Sequence, residues 1–131
     1  MSTYVLGAGI PALVAKEIGK VADVTFNFAT TPYNSGDIIQ LPVPLNALVS
    51  DVLYQVLVAN TDGGARTIGI GDIANSATHW ATAASLTTAG NMTASGQSAE
   101  LYAANPDAIQ ITFNESVSSG TLRVVAYAKL I

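Results

Sequence analysis

At 131 residues the chain has the length of one domain, and with no cysteine it has no disulfide framework, thiolate metal site or thiol nucleophile. Only 11% of residues are charged, against roughly 25% in typical domains, and the net charge is −4. Lys16, Lys20, Arg66, Arg123 and Lys129 are scattered, so the electrostatic footprint of nucleic-acid binding is missing.

No apolar run approaches the roughly 18 residues of a membrane span, and no membrane partner is expected. The first residues carry no positive region ahead of an apolar stretch, so synthesis and use without export are expected.

Residues 1–21 differ from the rest. Ile10, Leu13, Val14, Ile18 and Val21 recur at spacings of three and four, which predicts a short helix over roughly 11–18. Pro11 suits its first turn and Gly19 its end. This segment either caps the β core or forms an arm that docks on a neighbouring subunit.

From residue 22 the period becomes two, and 22–131 is expected to be a β-sandwich domain. Val24, Phe26 and Phe28 alternate with polar residues, as do Ile109, Ile111 and Phe113. Pro42 and Pro44 mark an edge strand or a crossover. Residues 51–59 are apolar on both faces apart from Gln55, which predicts a central strand with a covered second face. Gly69 and Gly71 in the next strand predict a bulge or a close backbone approach.

Residues 73–98 are rich in Ala, Ser, Thr and Gly. Short strands are expected near 78–83 and 84–88, then a loop from Asn91 to Gly96. The last strand runs from Thr121 to Leu130, with Leu122, Val124, Ala126 and Ala128 on one side. Turn-forming Asn, Asp, Gly and Pro clusters separate these runs. The expected fold is all-β, an antiparallel, jelly-roll-like sandwich with a short N-terminal helix or arm.

The chemistry is sparse. His79 is the single histidine, no GxSxG elbow is present, and no typical zinc set can be assembled. Gly69-Ile70-Gly71-Asp72 lacks the Lys of a phosphate loop. No catalytic residue, metal or cofactor is assigned, and a non-enzymatic role is expected. The interface candidates are Tyr4, Ile10, Leu13, Val14, Ile18, Tyr33, His79, Trp80 and Tyr102. Tyr33, Trp80 and Tyr102 fall in or beside expected loops, where they would serve a protein interface, a carbohydrate platform or a loop plug.

Four stretches carry a family resemblance: Ser35 to Pro42 ahead of Val49-Ser50-Asp51-Val52; Thr67 to Asp72; the Ala/Thr/Gly-rich middle with Tyr102; and Ser119 to Val124. In layout, residues 22–131 resemble the small β-sandwich virion proteins of tailed bacteriophages, the capsid decoration or cement class. That resemblance implies a protein made in the host cytoplasm and placed on the capsid exterior. It would clamp major capsid protein subunits and associate with itself as a trimer or dimer. The other roles considered are a carbohydrate-binding sandwich of a fibre or appendage, and a tail or neck component.

Overall fold

A computed structural model describes residues 2–6, 18–103 and 107–131. The described residues form strands and turns, with no helix among them. The expected helix over 11–18 lies outside the described residues, except for Ile18, which is exposed and directly precedes a strand.

The strands are β1 (Thr3–Val5), β2 (Gly19–Asn27), β3 (Ile38–Val43), β4 (Ala47–Val58), β5 (Thr67–Asp72), β6 (Ala81–Ser85), β7 (Thr93–Ala94), β8 (Glu100–Tyr102), β9 (Asp107–Phe113) and β10 (Thr121–Leu130). They build two sheets. One runs β1-β3-β9-β5-β6; the other runs β2-β10-β4, with β7 and β8 both pairing β4. Every pairing is antiparallel except the short parallel contact of β1 with β3. The architecture is the expected all-β sandwich.

The period-two pattern sets the core. Ile39 and Leu41 of β3, Ile109, Ile111 and Phe113 of β9, and Leu122, Val124, Ala126 and Ala128 of β10 are fully buried between the sheets. Phe113 stacks on Tyr33 at 4.7 Å and meets Phe28 edge-on at 5.6 Å. Aromatic pairs in these geometries add to the burial of their area.

β4 explains its own double-sided apolar pattern. Its register against β10 slips twice, leaving Ser50 and Leu57 as extra residues. Each slip reverses which face the following residues show. The buried set is therefore Ala47 and Val49, then Val52 and Val56. β4 is central, as expected. Leu53 and Tyr54 are half-buried, and Leu57 and Val58 are exposed.

The two glycines of β5 do what their placement predicted. The β5–β6 register shifts between Ile68 and Ile70. A Cβ on Gly71 would stand 2.0 Å from the Ser76 carbonyl oxygen, so the loop after β5 folds directly onto this strand.

One expectation holds at the proline itself though not for the whole strand, and a second needs correction. β3, which contains Pro42, has a neighbour on each side, β1 and β9. The proline is tolerated because β1 pairs only Ile38 to Gln40, so Pro42 pairs β9 alone. The strands expected near 78–83 and 84–88 are one strand, Ala81–Ser85, because the 73–80 stretch is spent on turns that return the chain to β5.

Candidate contact surfaces

The 73–98 segment is held by a buried polar chain that crosses from one sheet to the other. Trp80 Nε1 donates to Tyr102 Oη at 3.3 Å, and Tyr102 Oη donates to Asp72 Oδ2 at 2.5 Å. Asp72 also accepts from the Asn75 backbone N–H (2.6 Å) and from Asn75 Nδ2 (3.0 Å). Burial first, and the Asp72 carboxylate second, push the Tyr102 phenol well above its usual range, so it stays a donor. Asp72 ends β5 in one sheet and Tyr102 ends β8 in the other. Asp107 adds a second clamp, accepting the backbone N–H groups of Ile73 and Ala74 at 2.9 Å each.

Of the roles open to Tyr33, Trp80 and Tyr102, their burial fits the loop plug. Trp80 is 2% exposed, Tyr102 3% and Tyr33 7%. Tyr33 is packed among Phe26, Phe28 and Phe113. The Trp80 and Tyr102 rings are covered within the sandwich, and the three rings do not converge on one groove: only Tyr33 reaches a surface hollow, beside β2. Loop-like sequence surrounds them, while their partners come from distant strands.

His79 is partly buried and meets Trp80 edge-on at 5.2 Å. Its Nε2 lies 3.7 Å from Glu100 Oε2, and its carbonyl accepts from Gln97 Nε2 at 2.8 Å. No serine, threonine or cysteine side chain completes a nucleophile arrangement here in the hydrogen bonds of the described residues, and no cluster suited to a metal occurs among them.

Tyr4 does lie at the surface. It is 39% exposed on β1 and packs edge-on against Tyr33 at 5.2 Å. Asp37 anchors this stretch, accepting from the backbone N–H groups of Asn34 and Ser2 at 2.8 Å each. Those bonds, that of Asn34 foremost, hold its carboxyl below the usual range. Ile10, Leu13 and Val14 lie outside the described residues.

One apolar surface was not anticipated. Leu45, in the turn between β3 and β4, Leu101 of β8 and the terminal Ile131 are all exposed. Backbone bonds bring them to one end of the sandwich: Ile131 N–H donates to Asn46 O (3.0 Å), and Asn46 N–H donates to Tyr102 O (2.8 Å). Ile18, also exposed, precedes the β2 residue Gly19, which pairs Ala128 near the same end. In the sequence these are isolated aliphatics in turns and at a terminus, with no periodicity to single them out.

No protein-family model matches this chain, and no curated protein matches it. Its fold is similar to that of a chain in the capsid of Ralstonia phage GP4, with a TM-score of 0.67 at 15% identity, covering 97% of this chain and 98% of that one. It is also similar to a chain in the capsid asymmetric unit of cyanophage Pam1, with a TM-score of 0.60 at 19% identity, covering 88% of this chain and 84% of that one. At these identities the likeness is one of fold.

Proposed function

We propose that this chain is a structural protein of a tailed-phage virion, and within the virion a decoration protein that bridges neighbouring capsid subunits from outside the shell. The observation that carries the proposal is the near full-length fold match to a chain from a phage capsid. The exposed apolar end supports it. Leu45, Leu101, Ile131 and Ile18 form the kind of surface that marks protein contacts rather than chemistry. A patch of about 800 Å² per partner would be ordinary for a stable joint. Repetition of that joint over a shell makes modest affinities effective.

In this role the chain works by adding buried area at subunit boundaries. Its partners are the major capsid protein and further copies of itself. The small side chains of residues 73–98 bring backbone close to whatever they meet.

The test is reconstitution. Purified chain is mixed with shells that lack it, and the shells are pelleted and heated. Co-sedimentation at a fixed ratio and a raised shell melting temperature are expected. A chain that stays in the supernatant at saturating concentration would refute the decoration role.

A further inference from the structure

Among the described residues β2 is an outermost strand, with β10 on one side alone. It is nine residues long, and its register is regular from Ala22 to Asn27. A long edge exposes a row of backbone N–H and C=O groups, which is a template for a further strand. Its only irregularity is the extra residue Val21, and no proline interrupts it.

Beside this edge lies a hollow of about 290 Å³, lined by the apolar Leu6, Val24, Phe26 and Tyr33 together with Thr25, Asn27 and Thr31. No charged side chain lines it. Val24 sits on the core face of β2 yet is only half-buried, because the sandwich opens here. Tyr4 and Val5 of β1, the edge of the other sheet, are exposed. Both sheets therefore end at this side of the molecule in partly apolar strands, and the charges that β2 carries, Lys20 and Asp23, are paired with each other and with Arg123.

The backbone edge requires an extended strand as occupant, and the sequence of β2 is complementary to itself. In an antiparallel pair centred on Val24, Ala22 faces Phe26 of the other copy and Val24 faces Val24, so a small side chain meets a large one. On the outer face Asp23 meets Thr25, a carboxylate opposite a hydroxyl. Lys20 and Asp23 lie off the centre, so no like charges are opposed.

We infer that two copies of this chain pair through their β2 edges about a twofold axis at Val24, extending one sheet across both molecules and closing the hollow. Such an isologous contact satisfies both edges at once. It gives a geometry to the self-association in the proposed function, and its failure is distinguishable from failure of the virion reading, since a decoration protein can bind shells as a monomer.

Position 25 tests this by sign. Thr25 is exposed and pairs Arg123 of its own β10. Thr25→Asp suits that arginine within one chain but opposes Asp23 of the second copy. Thr25→Lys does the reverse. Sedimentation equilibrium of the full chain should show a dimer, with the dissociation constant raised about tenfold by Thr25→Asp and unchanged or lowered by Thr25→Lys. Because the chain has no cysteine, Val24→Cys should also cross-link on mild oxidation while Ser98→Cys, on a remote exposed loop, should not. A monomer at concentrations up to about 100 µM would overturn the inference. So would the opposite order of the two Thr25 variants. A monomeric chain whose outward β2 amides are protected from hydrogen exchange would overturn it as well, by showing that the chain's own residues cover the edge.

Discussion

Tyr102 Oη donates a 2.5 Å hydrogen bond to Asp72 Oδ2, and that bond ties the two sheets of the sandwich together in a buried position. The same hydroxyl accepts from Trp80 Nε1, so one oxygen serves both partners. Tyr102→Phe would keep the packing and leave Trp80 without its acceptor and Asp72 without one donor. A loss of about 1–3 kcal/mol is expected in urea unfolding, with an unchanged denaturant slope. A loss near zero would mean that water replaces the hydroxyl.

Acid should destabilise the fold through three carboxylates. Asp62 accepts from the Ser118 backbone N–H (2.7 Å), from Asn60 Nδ2 (2.8 Å) and from Ser119 Oγ (2.8 Å). These bonds, the Ser118 one foremost, hold it well below the usual carboxylate range. Asp23, bound by Arg123 and Lys20, and Asp37 are lowered likewise. A carboxylate depressed in the folded state contributes stability that is fully present above its unfolded pKa of about 3.9 and is lost as pH falls toward the folded value. Stability should be flat from pH 7 to about 5 and fall below about 4. Asp62→Asn should flatten part of that fall, as read by urea midpoints across pH.

Two glycines separate close approach from open space. Gly71→Ala places a Cβ 2.0 Å from Ser76 O, and backbone must move to relieve it. A loss of about 2–4 kcal/mol is expected, with the 73–80 turns the first to gain hydrogen exchange. At Gly90 nothing lies within 4 Å of an added Cβ and φ is not left-handed. Gly90→Ala should fall within about 0.5 kcal/mol of the parent or be slightly stabilising.

The exposed end should matter for contact and not for folding. Leu101→Asp and Leu45→Asp alter exposed side chains, so thermal stability should shift by no more than about 0.5 kcal/mol. Binding to shells should weaken at least tenfold, measured by co-sedimentation. Equal binding by both variants would move the contact surface elsewhere on the molecule.

The sequence made β2, β9 and β10 legible, because one apolar face alternating with one polar face is a local signal. Gly69 and Gly71 were legible because glycine inside a strand signals a bulge or a close backbone approach. β4 could be read as central but not face by face, since extra residues at Ser50 and Leu57 imitate two-sided burial and only the pairing with β10 reveals them. β1 left no trace, because three residues paired in parallel to Ile38–Gln40 carry no periodicity of their own. Trp80 and Tyr102 stand 22 residues apart, and Asp72 and Tyr102 stand 30 apart. Nothing local says that the three converge, so the sequence left surface and plug roles open for Trp80 and Tyr102. The exposed end is built from Leu45, Leu101 and Ile131, and only the backbone bonds through Asn46 bring them together.

The virion role is tested most directly by counting copies of this chain in purified phage particles by quantitative mass spectrometry against the major capsid protein. A decoration protein should be present in many copies, in a simple ratio to capsid subunits, and accessible to surface labelling. A handful of copies would place it in the tail or neck, and its absence from purified particles would contradict a virion role altogether.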